Sequence, residues 1–265
     1  MQMSGKELWD ESGEKLDLSI VIPFYNPGQQ LRSSLRALIK TLDDMNLTYE
    51  VLAVSDGSTD GSDQSIEDLS SASVHVISYE KNIGKGEALR VGLSQGKGRY
   101  IGFIDADGDV SPDQIGPLVA LMPLYEPDIV LGSKRHPMSE VTYPIARRIY
   151  SWGFQQLVRL LFHLSVRDTQ TGLKLVKREV LAEVLPYMVE KRFAFDLELF
   201  VVATHLGYRK FFEAPVHIGQ RFTSTISIKS VWSILVDTLA IFWRLRFQHY
   251  YDLDPGDRVA NGSQE

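Results

Sequence analysis

The sequence predicts an α/β fold whose central sheet is mainly parallel. Two observations lead to this class. Short apolar runs rich in β-branched residues alternate with stretches of helical periodicity, and the runs end at Asp, Asn, Pro or Gly residues typical of turns. Because right-handed crossovers join such alternating elements, their strands lie parallel and bind ligands at their carboxyl ends. The functional residues are therefore expected at the carboxyl ends of these apolar runs.

The predicted elements follow in a regular order. Residues 18–24 (LSIVIPF) form the first strand, and leucines and isoleucines at helical spacing after the turn at 26–28 predict a helix. Further strands are predicted at residues 49–54, 74–78, 100–104 and 128–131, and a further helix at 86–95. Asp56 and Asp105 each lie just after a predicted strand, at the edge where ligands are expected.

The pattern changes after residue 134. Two long apolar stretches that contain arginine, 144–164 and 227–247, predict helices on either side of a mixed αβ region. Without a repeat or a low-complexity linker, the prediction is a single domain over residues 17–250, with its halves meeting at residues 132 and 133. The charged residues 1–16, which contain no apolar signal segment, and residues 251–265 are predicted to be disordered.

Composition excludes some classes of partner. The 34 acidic residues outnumber 28 Lys and Arg, and the formal charge of -6 opposes attraction to nucleic acid. Cysteine is absent, so disulfides and thiolate metal sites are excluded, and a reducing compartment is permitted. A cytoplasmic location is the expectation.

A cluster of carboxylates follows the strand at 100–104. Asp105, Asp107 and Asp109 would converge at its exit, where oxygen ligands suit Mg²⁺ or Mn²⁺ held together with substrate phosphates. The same spacing begins a calcium-binding EF-hand loop, but Val110 stands at its sixth position and Gly116 at its twelfth. A solvated acidic turn stays open as the alternative, whereas a P-loop and a dinucleotide fingerprint are excluded because neither spacing occurs.

Four motifs, taken in order, resemble the nucleotide-sugar-binding half of family 2 glycosyltransferases. They are PFYN at 23–26, SDGSTD at 55–60, NIGKG at 82–86 and DAD at 105–107. The resemblance implies the Rossmann-like GT-A fold, with residues 17–132 as the nucleotide-sugar half and 133–250 as the acceptor half.

Further motifs are similar to those of polyprenyl- or dolichyl-phosphate sugar synthases. They are GSKR at 132–135, the spacing from Arg147 to Ser151, DTQTGLK at 168–174 and FAFDLE at 193–198. The last two look closest to dolichyl-phosphate glucose synthases and actinobacterial polyprenyl-phosphate N-acetylhexosamine synthases. Ser55 stands where an acidic residue is frequent, and Lys134 where Arg is usual.

The resemblance implies three groups of site residues. The nucleotide sugar would be bound by Pro23, Tyr25, Asn26, Asp56, Lys85, Asp105 and Arg221, with Asp56 accepting the pyrimidine imide N–H. The acceptor phosphate would be bound by Lys134, Arg135, Arg147 and Ser151. The metal ligands would be Asp105, Asp107 and Asp109, and the catalytic residues Asp107, Asp196 and Arg221.

The chemistry implied is inverting transfer of a hexose or N-acetylhexosamine from a UDP-sugar to polyprenyl phosphate. Because a phosphate monoester is largely dianionic at neutral pH, it needs little help from a general base, and cations are needed to bring it beside a diphosphate. Asp196 and Glu198 are two residues apart, so on a helix only one could face the donor, and Asp196 is the prediction. Its alternative, a cap or surface charge, stays open.

Neither long apolar stretch reaches the roughly 20 residues that a spanning helix needs, and Asp237 interrupts the second. Their mixture of Trp, Leu and Arg suits an amphipathic helix at the membrane interface, although two ordinary core helices remain the alternative. A dimer or a membrane-protein partner could also bury these surfaces. The expectation is a peripheral protein on the cytoplasmic face of the membrane.

Three other functions stay open from sequence. The first is a soluble glycosyltransferase or nucleotidyltransferase with a non-lipid acceptor. The second is a polyprenol-phosphate mannosyltransferase that uses GDP-mannose. The third is a catalytically silent subunit that binds nucleotide sugar or lipid.

Overall fold

The computed structural model describes residues 16–71, 73–141, 145–218 and 228–253, without the side chains of 145–149 and 228–231. Most of both predicted disordered tails lies outside these ranges. Tyr251, which was expected in the second tail, is buried in the short 3-10 turn Tyr250–Asp252. The described structure therefore continues beyond residue 250, where the sequence predicted the domain to end, at least as far as Asp252.

A seven-stranded sheet forms the centre of the molecule, beside a small two-stranded sheet. The strands of the large sheet are β1 (Leu18–Phe24), β2 (Tyr49–Asp56), β3 (Val74–Tyr79), β4 (Tyr100–Ile104), β5 (Ile129–Ser133), β7 (Leu173–Lys177) and β8 (Phe211–Pro215). The two short strands are β6 (Glu140–Val141) and β9 (His217–Ile218), which pair in parallel.

The strand order in the large sheet is β3-β2-β1-β4-β7-β5-β8. Neighbours pair in parallel except at β7, which runs antiparallel to both β4 and β5. The predicted mainly parallel sheet is thus confirmed, but β7 was not predicted. Through β7, the second half of the chain enters the middle of the sheet, so the two predicted halves are interleaved in space.

Helices cover both faces of the sheet. They are α1 (Gln30–Asp43), α2 (Lys85–Gln95), α3 (Ile115–Tyr125), α4 (Ile145–Phe162), α5 (Arg178–Val184), α6 (Phe195–His205) and α7 (Ile228–Arg246). Because successive strand residues point to opposite faces, Val21 packs in one core cluster while Ile20 and Ile22 pack in the other. Helices α1 and α3 cover the face of Ile20, and the remaining helices cover the face of Val21.

The two long helices expected beyond residue 134 are present as α4 and α7. They meet through the rings of Phe162 and Phe242, whose centroids are 6.0 Å apart. Within the described ranges, no helix combines the length and the apolar character that crossing a membrane requires.

Candidate active site

A pocket of about 690 Å³ opens at the carboxyl ends of β1, β2 and β4, beside the start of α2. This is the edge where a sheet built from crossovers is expected to bind ligands. Both halves of the chain line the pocket. The first half contributes Pro23, Phe24, Tyr25, Asp56, Asn82, Ile83, Gly84, Lys85, Ala88, Asp105 and Asp107, and the second contributes Gln170, Arg192, Phe193, Asp196 and Ser233.

Asp56 lies at the end of β2 and is buried. Its carboxylate accepts hydrogen bonds from the Tyr79 hydroxyl (2.7 Å) and from the backbone N–H groups of Ile83 (2.8 Å) and Gly84 (2.9 Å). Asp56 therefore fixes the segment that leads into Lys85, as well as lining the pocket where the base was expected. Tyr79 was missed by sequence reasoning, because it faces Asp56 from a neighbouring strand.

Pro23 and Tyr25 both line the pocket, and about half of the Tyr25 surface is exposed. Asn26 is not among the lining residues. Its side-chain oxygen accepts the Thr59 N–H (2.7 Å), and its own N–H donates to the Ser58 hydroxyl (3.1 Å). Asn26 thus fixes the loop after β2, at a left-handed φ of 47° that Asn tolerates better than most residues.

Four side chains of alternating charge form a row beside the pocket: Asp105, Lys85, Asp196 and Lys174. The Lys85 ammonium lies 2.7 Å from Asp105 Oδ1 and 3.4 Å from Asp196 Oδ2, and Lys174 pairs with the other oxygen of Asp196. Lys174 is fully buried and donates a hydrogen bond to the Thr171 carbonyl (2.6 Å). This hydrogen bond and the ion pair with Asp196 compensate the cost of removing the Lys174 charge from water. Sequence reasoning missed Lys174 as a site residue, although a lysine in the apolar run LKLV is a signal that could have indicated a buried ion pair.

Charge and burial oppose each other in this row. Burial raises the pKa of Asp196, but the ammonium groups of Lys174 and Lys85 outweigh it, so the pKa is lowered and the carboxylate stays ionised. Burial lowers the pKa of Lys85, but Asp105 and Asp196 outweigh it and the pKa is raised. For Asp105, burial exceeds the effect of Lys85, and its pKa is raised.

Gly172 closes the site behind Asp105. The Asp105 N–H donates to the Gly172 carbonyl (2.9 Å), and a Cβ at Gly172 would lie 1.9 Å from Asp105 Oδ2. Only a residue without a side chain allows this approach. The sequence predicted an acceptor-side role for the motif at 168–174, whereas its Gly172 shapes the carboxylate wall of the pocket.

The three-carboxylate metal site is not assembled. Asp107 lines the pocket, but Asp109 does not, and its N–H donates to Asp107 Oδ1 (3.0 Å). The described part of the chain contains no group of three Asp, Glu or His side chains placed to bind one ion. Asp105 Oδ1 is buried and accepts no regular hydrogen bond from described groups. A pair of carboxylates, Asp105 and Asp107, still fits Mg²⁺, which commonly takes one or two carboxylates and completes its shell with phosphates and water.

Two of the predicted acceptor residues, Arg135 and Ser151, contact each other. The Arg135 guanidinium donates to the Ser151 hydroxyl of α4 (2.9 Å), and the Lys134 N–H donates to the buried carboxylate of Asp168 (3.0 Å). None of Lys134, Arg135 and Ser151 is among the lining residues. Arg147 lies in α4 with its side chain undescribed, and Arg221 lies outside the described residues.

Asp196 and Glu198 face different surroundings, as their spacing on α6 predicted. Asp196 reaches the pocket. Glu198 is fully buried and accepts from the backbone N–H groups of Val189 (2.9 Å) and Glu190 (2.8 Å) and from the Tyr251 hydroxyl (2.7 Å). Burial raises the pKa of Glu198. Glu198 thus fixes the segment that contains Val189 and Glu190, and it is not among the residues that line the pocket.

The lining residues that were absent from the predicted site include Gln170, Arg192 and Phe193. The amide nitrogen of Gln170 is buried without a hydrogen-bond partner among the described residues. Phe193 begins the motif at 193–198 but was not a predicted site residue. The sequence gives no signal for Arg192, because it belongs to a loop whose path depends on tertiary contacts.

Comparisons with known proteins agree with this geometry. Residues 19–185 match the family model described as "Glycosyl transferase family 2". Relatives named dolichyl-phosphate beta-glucosyltransferase include a human protein, 32% identical over 91% of this chain and 78% of its own length. A Drosophila melanogaster protein of the same name is 35% identical over 74% of this chain. The match spans 65% of that relative and 64% of a Dictyostelium discoideum relative.

Solved structures share the architecture. Glucosyl-3-phosphoglycerate synthase from Mycobacterium tuberculosis, in complex with UDP, is 17% identical with a TM-score of 0.68, over 91% of this chain and 85% of that one. Mannosyl-3-phosphoglycerate synthase from Rubrobacter xylanophilus is 17% identical with a TM-score of 0.66, over 88% and 75%. These likenesses show the GT-A fold.

The family model covers well over half of the chain, and the carboxylates of its strand ends converge on one pocket. The chain therefore belongs to glycosyl transferase family 2.

Proposed function

We propose that this protein is a glycosyltransferase that moves a hexose from a UDP-sugar to a polyprenyl phosphate of the dolichyl type, with inversion at the anomeric carbon. The relatives' name favours glucose as the hexose, although N-acetylhexosamine was an equal expectation from sequence. The protein would act peripherally at the membrane interface. The cytoplasmic face, and a partner or second copy, stay predictions.

One observation supports the assignment of a lipid acceptor: helix α7 extends from the pocket to an exposed apolar surface. Ser233 lines the pocket, and the adjacent Trp232 is 67% exposed. Trp232, Val236, Leu239 and Trp243 follow at intervals of four, three and four residues, so they share one face of the helix, and all are about half exposed or more. An apolar stripe that begins at a polar pocket suits an acceptor with a charged head and a long hydrocarbon tail.

The pocket charge supports a nucleotide donor bound together with a divalent cation. Its described lining residues carry four carboxylates, Asp56, Asp105, Asp107 and Asp196, against the cations Lys85 and Arg192. A diphosphate entering a site of net negative charge needs an additional positive charge, which Mg²⁺ or Mn²⁺ would provide. Solved relatives of this fold were crystallised with UDP and Mn²⁺, or with UDP and Mg²⁺.

The chain's own residues would divide the work as follows. Asp56 and the segment it fixes would hold the nucleoside end. Asp105 and Asp107 would hold the cation, which supplies Lewis-acid stabilisation of the leaving diphosphate. Lys85 would then pair with diphosphate oxygens, and Asp196, ionised between Lys85 and Lys174, would orient the donor sugar through its hydroxyl groups.

The acceptor side would need positioning more than proton transfer. Arg135, fixed by Ser151, and Lys134, fixed through Asp168, would bring the acceptor phosphate to the pocket's edge. Because that phosphate is already largely dianionic, it can attack the anomeric carbon from the face opposite the diphosphate without a general base. Attack from that face inverts the anomeric centre.

A donor panel tests the proposal. Purified protein is incubated with Mg²⁺ or Mn²⁺, polyprenyl phosphate in detergent, and each labelled UDP- or GDP-sugar, and the lipid is then extracted into organic solvent. We expect one UDP-hexose to give a labelled lipid that is lost with EDTA and lost again in Asp107→Asn. The matched control, Asp109→Asn, removes a carboxylate that does not line the pocket and should retain most activity.

The outcomes separate the alternatives left open by sequence. If the lipid is labelled only from a GDP-sugar, the donor choice would be that of a polyprenol-phosphate mannosyltransferase. Label that stays aqueous but enters a soluble acceptor would contradict the lipid assignment. A protein that binds UDP yet transfers no sugar to lipid or to soluble acceptors would be the silent binding subunit.

A further inference from the structure

Residues 188–193, here called the strap, cross the start of helix α2 and lead into α6. The strap lies against the backbone of the helix start: a Cβ at Gly84 would lie 2.4 Å from the Lys191 carbonyl oxygen, and one at Gly86 would lie 2.7 Å from the Lys191 carbonyl carbon. The Lys191 carbonyl also accepts the Glu87 N–H (3.2 Å). Strap and helix start therefore form one surface, with Lys85 between the two glycines.

The strap is fixed from behind as well. The buried Glu198 carboxylate accepts two successive strap amides, and the Glu190 carboxylate pairs with Arg244 of α7 at 2.6 Å. Charge-assisted hydrogen bonds to buried carboxylates are among the stronger contacts that position a loop. The backbone that carries Arg192 is therefore fixed before any ligand arrives, so less conformational entropy is lost when Arg192 binds a ligand.

Arg192 projects from this fixed backbone into the pocket. It lines the cavity, and its Cγ lies within 3.1 Å of where a Gly84 Cβ would be, beside Lys85. Four carboxylates line the same cavity, yet the Arg192 guanidinium forms no ion pair or hydrogen bond with the described residues, and its backbone carbonyl accepts the Phe195 N–H (3.3 Å). Its neighbour Lys191 is also exposed but does not line the pocket.

We propose that Arg192 is a substrate-binding residue whose guanidinium donates hydrogen bonds to a phosphate oxyanion in the pocket. The guanidinium is a planar donor with a fork geometry that matches phosphate oxygens, and the cavity offers it no protein partner in the part of the chain described. The oxyanion belongs to the donor diphosphate or to the acceptor phosphate. This inference rests on the proposed function for the identity of both substrates.

Binding measurements test it without lipid. Titration calorimetry compares UDP with uridine, in the presence of Mg²⁺, for wild type, Arg192→Gln and the matched control Lys191→Gln. If the donor diphosphate is the ligand, R192Q weakens UDP about tenfold, as expected for loss of a hydrogen bond to a charged group, and leaves uridine unchanged. K191Q makes the same charge change one residue away and should bind UDP like wild type.

The acceptor is tested by kinetics. If the acceptor phosphate is the ligand, R192Q leaves UDP affinity unchanged and raises the KM for polyprenyl phosphate about tenfold, and Arg192→Lys falls between R192Q and wild type because it keeps charge without the fork. The proposal is overturned if R192Q matches K191Q in UDP affinity and in acceptor KM, or if R192Q weakens uridine as much as UDP.

Failure of the proposed function has a different signature. A wild-type protein that binds UDP but never labels lipid would contradict the lipid transfer, while the comparison of UDP with uridine would still decide the role of Arg192. A wild-type protein that binds neither UDP nor GDP would overturn both.

Discussion

Asp105 is held between a cation and a backbone. The Lys85 ammonium contacts its carboxylate from the pocket side, and Gly172 packs against it from the other. The Asp105 carboxylate, which would share the cation with Asp107, therefore has little freedom to move. It can occupy this position only because Gly172 has no Cβ atom.

Substituting Gly172 by Ala tests this dependence. The added methyl group would displace Asp105, and because a displacement of about 1 Å in a reacting group can cost about 100-fold in rate, we expect transfer to fall by that order. Overpacking should cost about 1–3 kcal/mol of stability. The measurements are kcat/KM for transfer and the urea midpoint.

Gly153→Ala is the matched control for this substitution. A Cβ at Gly153 meets no atom within 4 Å, and alanine favours a helix interior by about 0.5–1 kcal/mol, so this variant should be active and slightly stabilised. A fully active G172A protein would contradict the dependence of Asp105 on Gly172.

Asp168 organises the loop before β7. Its carboxylate accepts from the N–H groups of Lys134 and Gln170 and from the Thr171 hydroxyl. Burial raises its pKa, but the Lys134 charge and these hydrogen bonds outweigh burial, and the pKa is lowered. A carboxyl whose pKa is lower in the folded state stabilises the fold above its unfolded pKa, about 3.9, and this contribution is lost as pH falls through the folded value.

Asp168→Asn should therefore destabilise the protein in a pH-dependent way. At pH 7 the loss of a buried, charged acceptor should lower the free energy of unfolding by about 1–3 kcal/mol. The gap between variant and wild type should shrink below pH 4, since the wild type loses the same contribution by protonation. Urea unfolding of both proteins at several pH values measures it, and a gap independent of pH would refute the charge argument.

At the scale of elements, helix α7 connects the pocket to an exposed apolar surface. Its Ser233 lines the pocket, while its exposed face carries two tryptophans, and Trp243 stacks on Phe247 with ring centroids 4.5 Å apart. Trp and Phe on an exposed helix face are typical of contact with the interfacial region of a bilayer.

Replacing Trp232 and Trp243 together by Ser should weaken the association with lipid vesicles about tenfold, because both side chains are exposed and available to lipid. UDP affinity should stay unchanged. Vesicle co-sedimentation measures the effect, and Leu124→Ser, at an equally exposed apolar residue of α3, is the control. Unaltered vesicle binding in the double variant would contradict a lipid-facing α7.

The elements that the sequence predicted, and those it did not, differ in how local their signals are. Strands β2 and β4 are short apolar runs that are buried on both faces of the sheet, so the pattern alone predicted them and placed Asp56 and Asp105 at one edge. Strand β7 carries Lys174 at a fully buried position, which breaks the apolar pattern. Its charge is compensated by Asp196, 22 residues away, and no local pattern reports such a partner.

The metal ligands show the same limit. Spacing predicted that Asp105, Asp107 and Asp109 would converge, but the turn directs Asp109 away, with its N–H on Asp107. Alternation along a strand does not continue into the turn that follows it. Conversely, the opposite directions of Asp196 and Glu198 were predictable, because helical geometry is the same wherever the helix lies.

For the whole molecule, the charge of the pocket predicts that nucleotide binding and cation binding depend on each other. Four lining carboxylates repel a diphosphate, and two lining cations do not balance them. By reciprocity of linkage, the cation should strengthen UDP binding by the same factor by which UDP strengthens cation binding.

Thermal unfolding tests this coupling. At about 100 times its dissociation constant, UDP with Mn²⁺ should stabilise the protein by about 2.7 kcal/mol, which corresponds to a rise in Tm of about 5–10 °C for a chain of this size. UDP with EDTA, or Mn²⁺ alone, should give a much smaller shift in Tm. A full shift with UDP and EDTA would show that the protein binds the diphosphate without a cation.

The reversed direction of β7 limits how this protein can be dissected. A fragment that stopped before residue 173 would leave β4 and β5 without the strand between them, and their unpaired edges would invite aggregation. Under the proposed function, the acceptor portion consequently cannot be exchanged as a module. A chimera with altered acceptor choice would have to import β7 and the loop before it, and with them Gly172 and Lys174, so grafting a new acceptor specificity also rebuilds the wall of the donor pocket.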